Sequence, residues 1–75
     1  MYTVVGYDKD NDVYEEYGEY SSIWPAYRKA IELEEMVKNG ELRRKDNEEP
    51  IDWVGIYGKW NTHDEYKVGV FSGEV

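Results

Sequence analysis

Tyr2-Thr3-Val4-Val5-Gly6-Tyr7 is a run of β-branched and aromatic residues, the pattern of a strand. Asp8-Lys9-Asp10-Asn11-Asp12 is turn chemistry, and Val13 to Tyr20 resumes a strand of mixed alternation in which Gly18 marks a bulge. Together they predict a hairpin closed by the Asp8–Asp12 loop. The period then changes. Ile23, Ala26, Ala30, Leu33 and Val37 recur at spacings of three and four, and Tyr27, Ile31 and Met36 widen the stripe. Ser21 and Ser22 are good N-cap residues, Pro25 falls in a first turn, and Asn39-Gly40 is a stop signal. A helix is expected over about 22–39. Glu41 to Pro50 is charged and reads as a loop, with Arg43-Arg44-Lys45 solvated. Ile51–Trp60 and Glu65–Phe71 read as a third and a fourth strand around a turn at Asn61–Asp64.

The order ββαββ predicts one α+β domain over residues 1–75: a four-stranded, mostly antiparallel sheet with the helix on one face. Alternation sends Val54 and Ile56, with Tyr66, Val68 and Val70, toward the helix. Trp53, Tyr57 and Phe71 then point the other way. An aromatic sheet face with no helix over it is expected to be an interface, most simply between two copies related by a two-fold axis.

Composition narrows the function. The 75 residues contain no cysteine and one histidine, which removes disulfides, thiolate metal sites and the usual His-rich zinc sites. Eight tyrosines, three tryptophans and one phenylalanine supply a large apolar payload for a small core. Neither a secretory signal pattern nor a membrane-spanning run is visible, so a cytoplasmic location is expected.

The net charge of −8 is unevenly spread. Residues 1–20 hold six acids against one lysine, and residues 46–65 hold six acids against one lysine. Residues 21–45 hold six bases against four acids. Direct contact with nucleic acid or an anionic membrane is disfavoured, because both need a basic footprint. A basic protein partner is favoured.

No catalytic set is present, and a non-enzyme is expected, with no cofactor. His63 sits beside Asp64 in a turn, and Ser21, Ser22 and Ser72 lack a nucleophile-elbow context. Asp8, Asp10, Asp12, Tyr14, Glu16 and Glu19 fall on the ligand positions of an EF-hand calcium loop. Val13 stands where that loop needs glycine, Glu15 stands at its apolar position, and the flanks are strands. A solvated hairpin loop with no metal is the expectation, and calcium-dependent binding through the hairpin is a minor alternative.

The hairpin carboxylates have another use. Alternate residues on a strand lie about 6.7 Å apart, close to two phosphate steps of a DNA strand. Asp8, Asp10, Asp12, Glu15, Glu16 and Glu19 would form one acidic set, and Glu48, Glu49, Asp52, Asp64 and Glu65 a second. In size, charge and fold type the whole chain resembles phage-encoded acidic proteins that imitate DNA and inhibit host DNA-binding proteins such as the histone-like protein HU. That resemblance implies a stoichiometric inhibitor seated on the DNA-binding surface of a basic dimer. The expectation is a homodimeric DNA mimic. The alternative is a structural interaction module that binds through the aromatic sheet face around Trp53, Tyr57 and Phe71, with acidity serving solubility.

Overall fold

The computed structural model describes residues 1–59 in full and residues 66–72 as backbone. The elements are β1 (Tyr2–Asp8), β2 (Val13–Tyr20), α1 (Ile23–Lys38), β3 (Trp53–Gly58) and β4 (Tyr66–Ser72). The α+β class is as expected. The strands pair antiparallel in the order β2-β1-β3-β4, so two hairpins lie side by side with β1 and β3 at the centre.

The β1–β3 register sorts the side chains. Val4 pairs with Ile56 and Gly6 with Val54 on the face toward α1. Thr3 pairs with Tyr57, Val5 with Gly55 and Tyr7 with Trp53 on the other. The core is built from Val4, Val54 and Ile56 of the sheet against Ala26, Ala30 and Leu33 of the helix. The two alanines let the helix backbone approach the sheet closely.

Ser22 takes the N-cap position with extended backbone, as the sequence predicts, but makes no side-chain cap hydrogen bond. The C-terminal stop is complete. Gly40 adopts a φ of 71°. Its N–H donates to the Val37 carbonyl at 3.0 Å, and the Glu41 N–H donates to the Met36 carbonyl at 2.8 Å, the paired bonds of a Schellman motif.

Tyr27 and Ile31 depart from the expected core stripe. They are 38% and 48% exposed, because the helix meets the sheet through Ala26, Ala30, Leu33 and their neighbours and turns these two outward. Met36 does pack against the core.

Residues 41–52 are more ordered than a charged loop predicts. Arg43 bridges antiparallel to Pro50, the Arg44 N–H donates to the Glu49 carbonyl at 2.8 Å, and the Ile51 N–H donates to the Leu42 carbonyl at 3.1 Å. This small hairpin buries Leu42 and Ile51 in the core. The two apolar residues that bracket the charged stretch are what hold it down.

Two register shifts set up the surface. In β2, Val4 pairs with Gly18 but Val5 pairs with Glu16, so Tyr17 is the bulged residue. In β3–β4 a shift between Ile56 and Tyr57 leaves Phe71 paired with Val54 and Val70 with Gly55. Phe71, grouped by alternation with Trp53 and Tyr57, is therefore in register with a helix-face position.

Candidate protein-binding surface

The Tyr17 bulge decides where the hairpin acids go. Glu16 pairs with Val5 and Glu19 with Thr3, so both stand on the outer face of the sheet, beside Tyr14. Plain alternation would have put residues three apart on opposite faces. Their β1 partners are two residues apart, which spaces the two carboxylate-bearing positions by roughly 6.7 Å along the edge. Both residues are exposed, and β2 is an edge strand. Asp10 and Asp12 extend the acidic run around the exposed hairpin tip. The connection is tighter than the sequence predicts, because Asp8 and Val13 already pair. Asp12 closes the turn with a φ of 54°.

Asp8 does not belong to this surface. It is 1% exposed. Its Oδ1 accepts the N–H groups of Asp10 at 3.1 Å and Asn11 at 3.3 Å. Its Oδ2 accepts the Asn11 side-chain amide at 2.7 Å and Arg44 Nη1 at 3.3 Å. The Asn11 amide, followed by Arg44 and the two backbone donors, holds the Asp8 carboxyl below its ordinary value against the opposing effect of burial. The alternating aspartates thus make a turn and a buried ion pair, which between them occupy both Asp8 oxygens. Asp8 is removed from the partner-contact set for the same reason.

Arg44 is the residue that sequence reasoning missed. Read as solvated, it is buried, with Nη1 on Asp8 and Nη2 on Asp46 at 2.5 Å. It is pulled inward because Leu42 and Ile51 anchor its loop against the end of the first hairpin. Other bonds tie the same two segments. The Lys9 N–H donates to Asp52 Oδ2 at 2.8 Å, the Asp52 N–H to the Tyr7 carbonyl at 2.8 Å, and the Lys45 N–H to Glu15 Oε2 at 3.2 Å.

Glu48, Glu49 and Asp52 of the second set are therefore brought beside the tip of the first hairpin, and the acids there have different roles. Glu15, half-buried on the helix side, and Asp52 are used internally. Asp10, Asp12, Glu48 and Glu49 are exposed there, and Glu16 and Glu19 run along the edge strand. Asp64 and Glu65 lie outside the described residues.

The aromatic face also differs from its expectation. Trp53 and Tyr57 do lie on the face away from α1, but Tyr57 is only 6% exposed and Trp53 is half-buried. Tyr14 and Tyr57 stand on β2 and β3, with β1 between them. Strands two places apart are about 9.6 Å apart, yet these ring centroids are 6.3 Å apart. The rings lean together over Val5, which has no exposed surface. Tyr7 packs against Tyr14 at 4.7 Å and against Trp53 at 5.0 Å. Gly55, paired with Val5, has no side chain to hold the rings apart. The face is a second small core rather than an uncovered platform.

Tyr7 also reaches the hairpin tip. Its hydroxyl donates to Asp12 Oδ1 at 2.7 Å, and this bond, ahead of burial and the Asp12 charge, pushes the Tyr7 hydroxyl up to about 12. Burial, with the Glu15 carboxylate adding to it, raises the Tyr17 hydroxyl as well.

Among the described residues no group of three or more acidic or histidine side chains is arranged to hold a metal ion, and no helix is long and apolar enough to cross a membrane. No family model matches the chain, and neither a curated protein nor a solved structure matches it.

Proposed function

We propose that this chain is an acidic decoy for DNA: it binds a basic DNA-binding protein and occupies the surface that would hold a phosphate backbone. The observation that carries the reading is the placement of Glu16 and Glu19 on one face of an edge strand, beside Tyr14 and continuous with Asp10 and Asp12 at the tip. Fixed carboxylates at phosphate-like spacing on a hydrogen-bonded strand present negative charge without the entropy cost of ordering a flexible tail. Tyr14, 43% exposed, adds apolar contact next to the charges. The net charge of −8 steers such a chain toward basic surfaces and keeps it off nucleic acid itself.

Glu48 and Glu49 extend the contact from the neighbouring loop. Asp8, Asp52 and Glu15 act behind it, by fixing that loop against the hairpin. A bacterial histone-like protein is a suitable first target. The test is displacement of a fluorescent DNA duplex from HU, followed by anisotropy at low and high salt. Displacement by the chain, weakened by salt and lost in the Glu16→Lys/Glu19→Lys variant, is the expected result. Displacement unaffected by that charge reversal would refute the assigned surface.

The competing reading, a scaffold module using the aromatic sheet face, is disfavoured by the burial of Tyr57 and the closure of the rings over Val5.

A further inference from the structure

Three exposed large apolar side chains among the described residues lie together on the helix. Trp24 is 68% exposed, Ile31 48% and Tyr27 38%. Spaced by three and four, they form one stripe on the side of α1 turned from the sheet. Trp24 and Tyr27 meet edge to face at 6.0 Å and, with Ile23, line a shallow cleft of about 310 Å³.

We propose that two copies of the chain pair through this stripe, with their α1 helices antiparallel about a two-fold axis at Ile31. Charge along the helix is what selects a second copy. Arg28 and Lys29 precede Ile31, and Glu32, Glu34 and Glu35 follow it. Antiparallel pairing sets the basic half of one helix against the acidic half of the other. Lys29 already pairs with Glu32 and Lys38 with Glu34, each at 3.8 Å. Arg28 and Glu35, both exposed, make no ion pair with another described residue. Arg28 lies three residues before Ile31 and Glu35 four after, so at 1.5 Å per residue they sit at nearly equal distances from the axis. Arg28 of each copy then meets Glu35 of the other, twice.

Repulsion points to the same surface. The chain as a whole is strongly negative, yet α1 carries three bases, Arg28, Lys29 and Lys38, against three acids, Glu32, Glu34 and Glu35, and is neutral. This is where two copies approach with least like-charge repulsion. Burying the stripe and its flanking charges removes on the order of 500 Å² per copy, about the lower limit for a specific interface, so the dimer is weak to moderate. Pairing through the helices leaves both acidic edge strands uncovered.

Sedimentation equilibrium of the intact chain across micromolar to millimolar concentrations tests this. Reversible dimerisation is expected. Ile31→Lys, at an exposed position, should leave the circular dichroism unchanged and give a monomer throughout. Arg28→Glu and Glu35→Arg should each weaken pairing about tenfold, and the double exchange should recover most of the loss. A monomer at every concentration would overturn the proposal. So would a dimer indifferent to these substitutions, or a double exchange no better than the single changes.

Discussion

Arg44 and Asp8, separated by 36 residues, form a buried ion pair at 3.3 Å that joins the 41–52 loop to the first hairpin. Removing one partner of such a pair strands the other charge in a site with little water. Arg44→Ala should therefore lower the melting temperature far more than Arg43→Ala. In Arg44→Ala the amides of residues 45–49 should also exchange faster, as read by hydrogen exchange.

The pair sets the acid limb of stability. Asp8 and Asp46 both have folded values below the ordinary 3.8, Asp8 chiefly through Asn11 and Asp46 chiefly through Arg44. Each contributes stability that is present above 3.8 and is lost as pH falls through its folded value. Melting at pH 7 and at pH 3 should show a loss on acidification. Asp8→Asn should be less stable at pH 7 and show a shallower acid limb.

Tyr7 behaves in the opposite sense. Its folded value, about 12, lies above the ordinary 10.0, so its stabilising contribution is complete below pH 10 and is lost as pH rises through 12. Carbon NMR of labelled tyrosine should find Tyr7 titrating late. Asp12→Ala should move it back toward 10.

Gly6 is needed for its lack of a side chain. A Cβ there would meet Tyr17 Cε2 at 2.6 Å and Ile51 Cγ2 at 3.0 Å. Gly6→Ala should cost about 1–3 kcal/mol in chemical denaturation, as overpacked cores do. The effect should shrink in a Gly6→Ala/Tyr17→Ala background.

Tyr57 separates a core role from a docking role on the outer face. Buried over Val5, it should cost about 3 kcal/mol when truncated to alanine, in the range for large core aromatics. Self-association measured at equal folded concentration should be unchanged.

The sequence carried the element order and the helix limits, because periodicity and the Asn39-Gly40 stop are local signals. Tyr27 and Ile31 were legible as apolar but not as outward, since a stripe wider than the contact surface does not say which edge stays wet. The Arg44–Asp8 pair had no local signal at all. Asp8 sits in an Asp/Asn-rich turn and Arg44 in a charged run, and only the anchoring of Leu42 and Ile51 brings them together. Gly18 flagged the β2 bulge. That the extra residue is Tyr17, so that Glu16 and Glu19 share a face, depends on pairing with β1.

Capture from bacterial lysate on the immobilised chain, with the Glu16→Lys/Glu19→Lys variant as a parallel bait, tests the central claim most directly. The account predicts that the native bait retains a small basic DNA-binding protein, that duplex DNA or high salt elutes it, and that the variant retains none. Retention of the same proteins by both baits, or retention that DNA does not reverse, would contradict it.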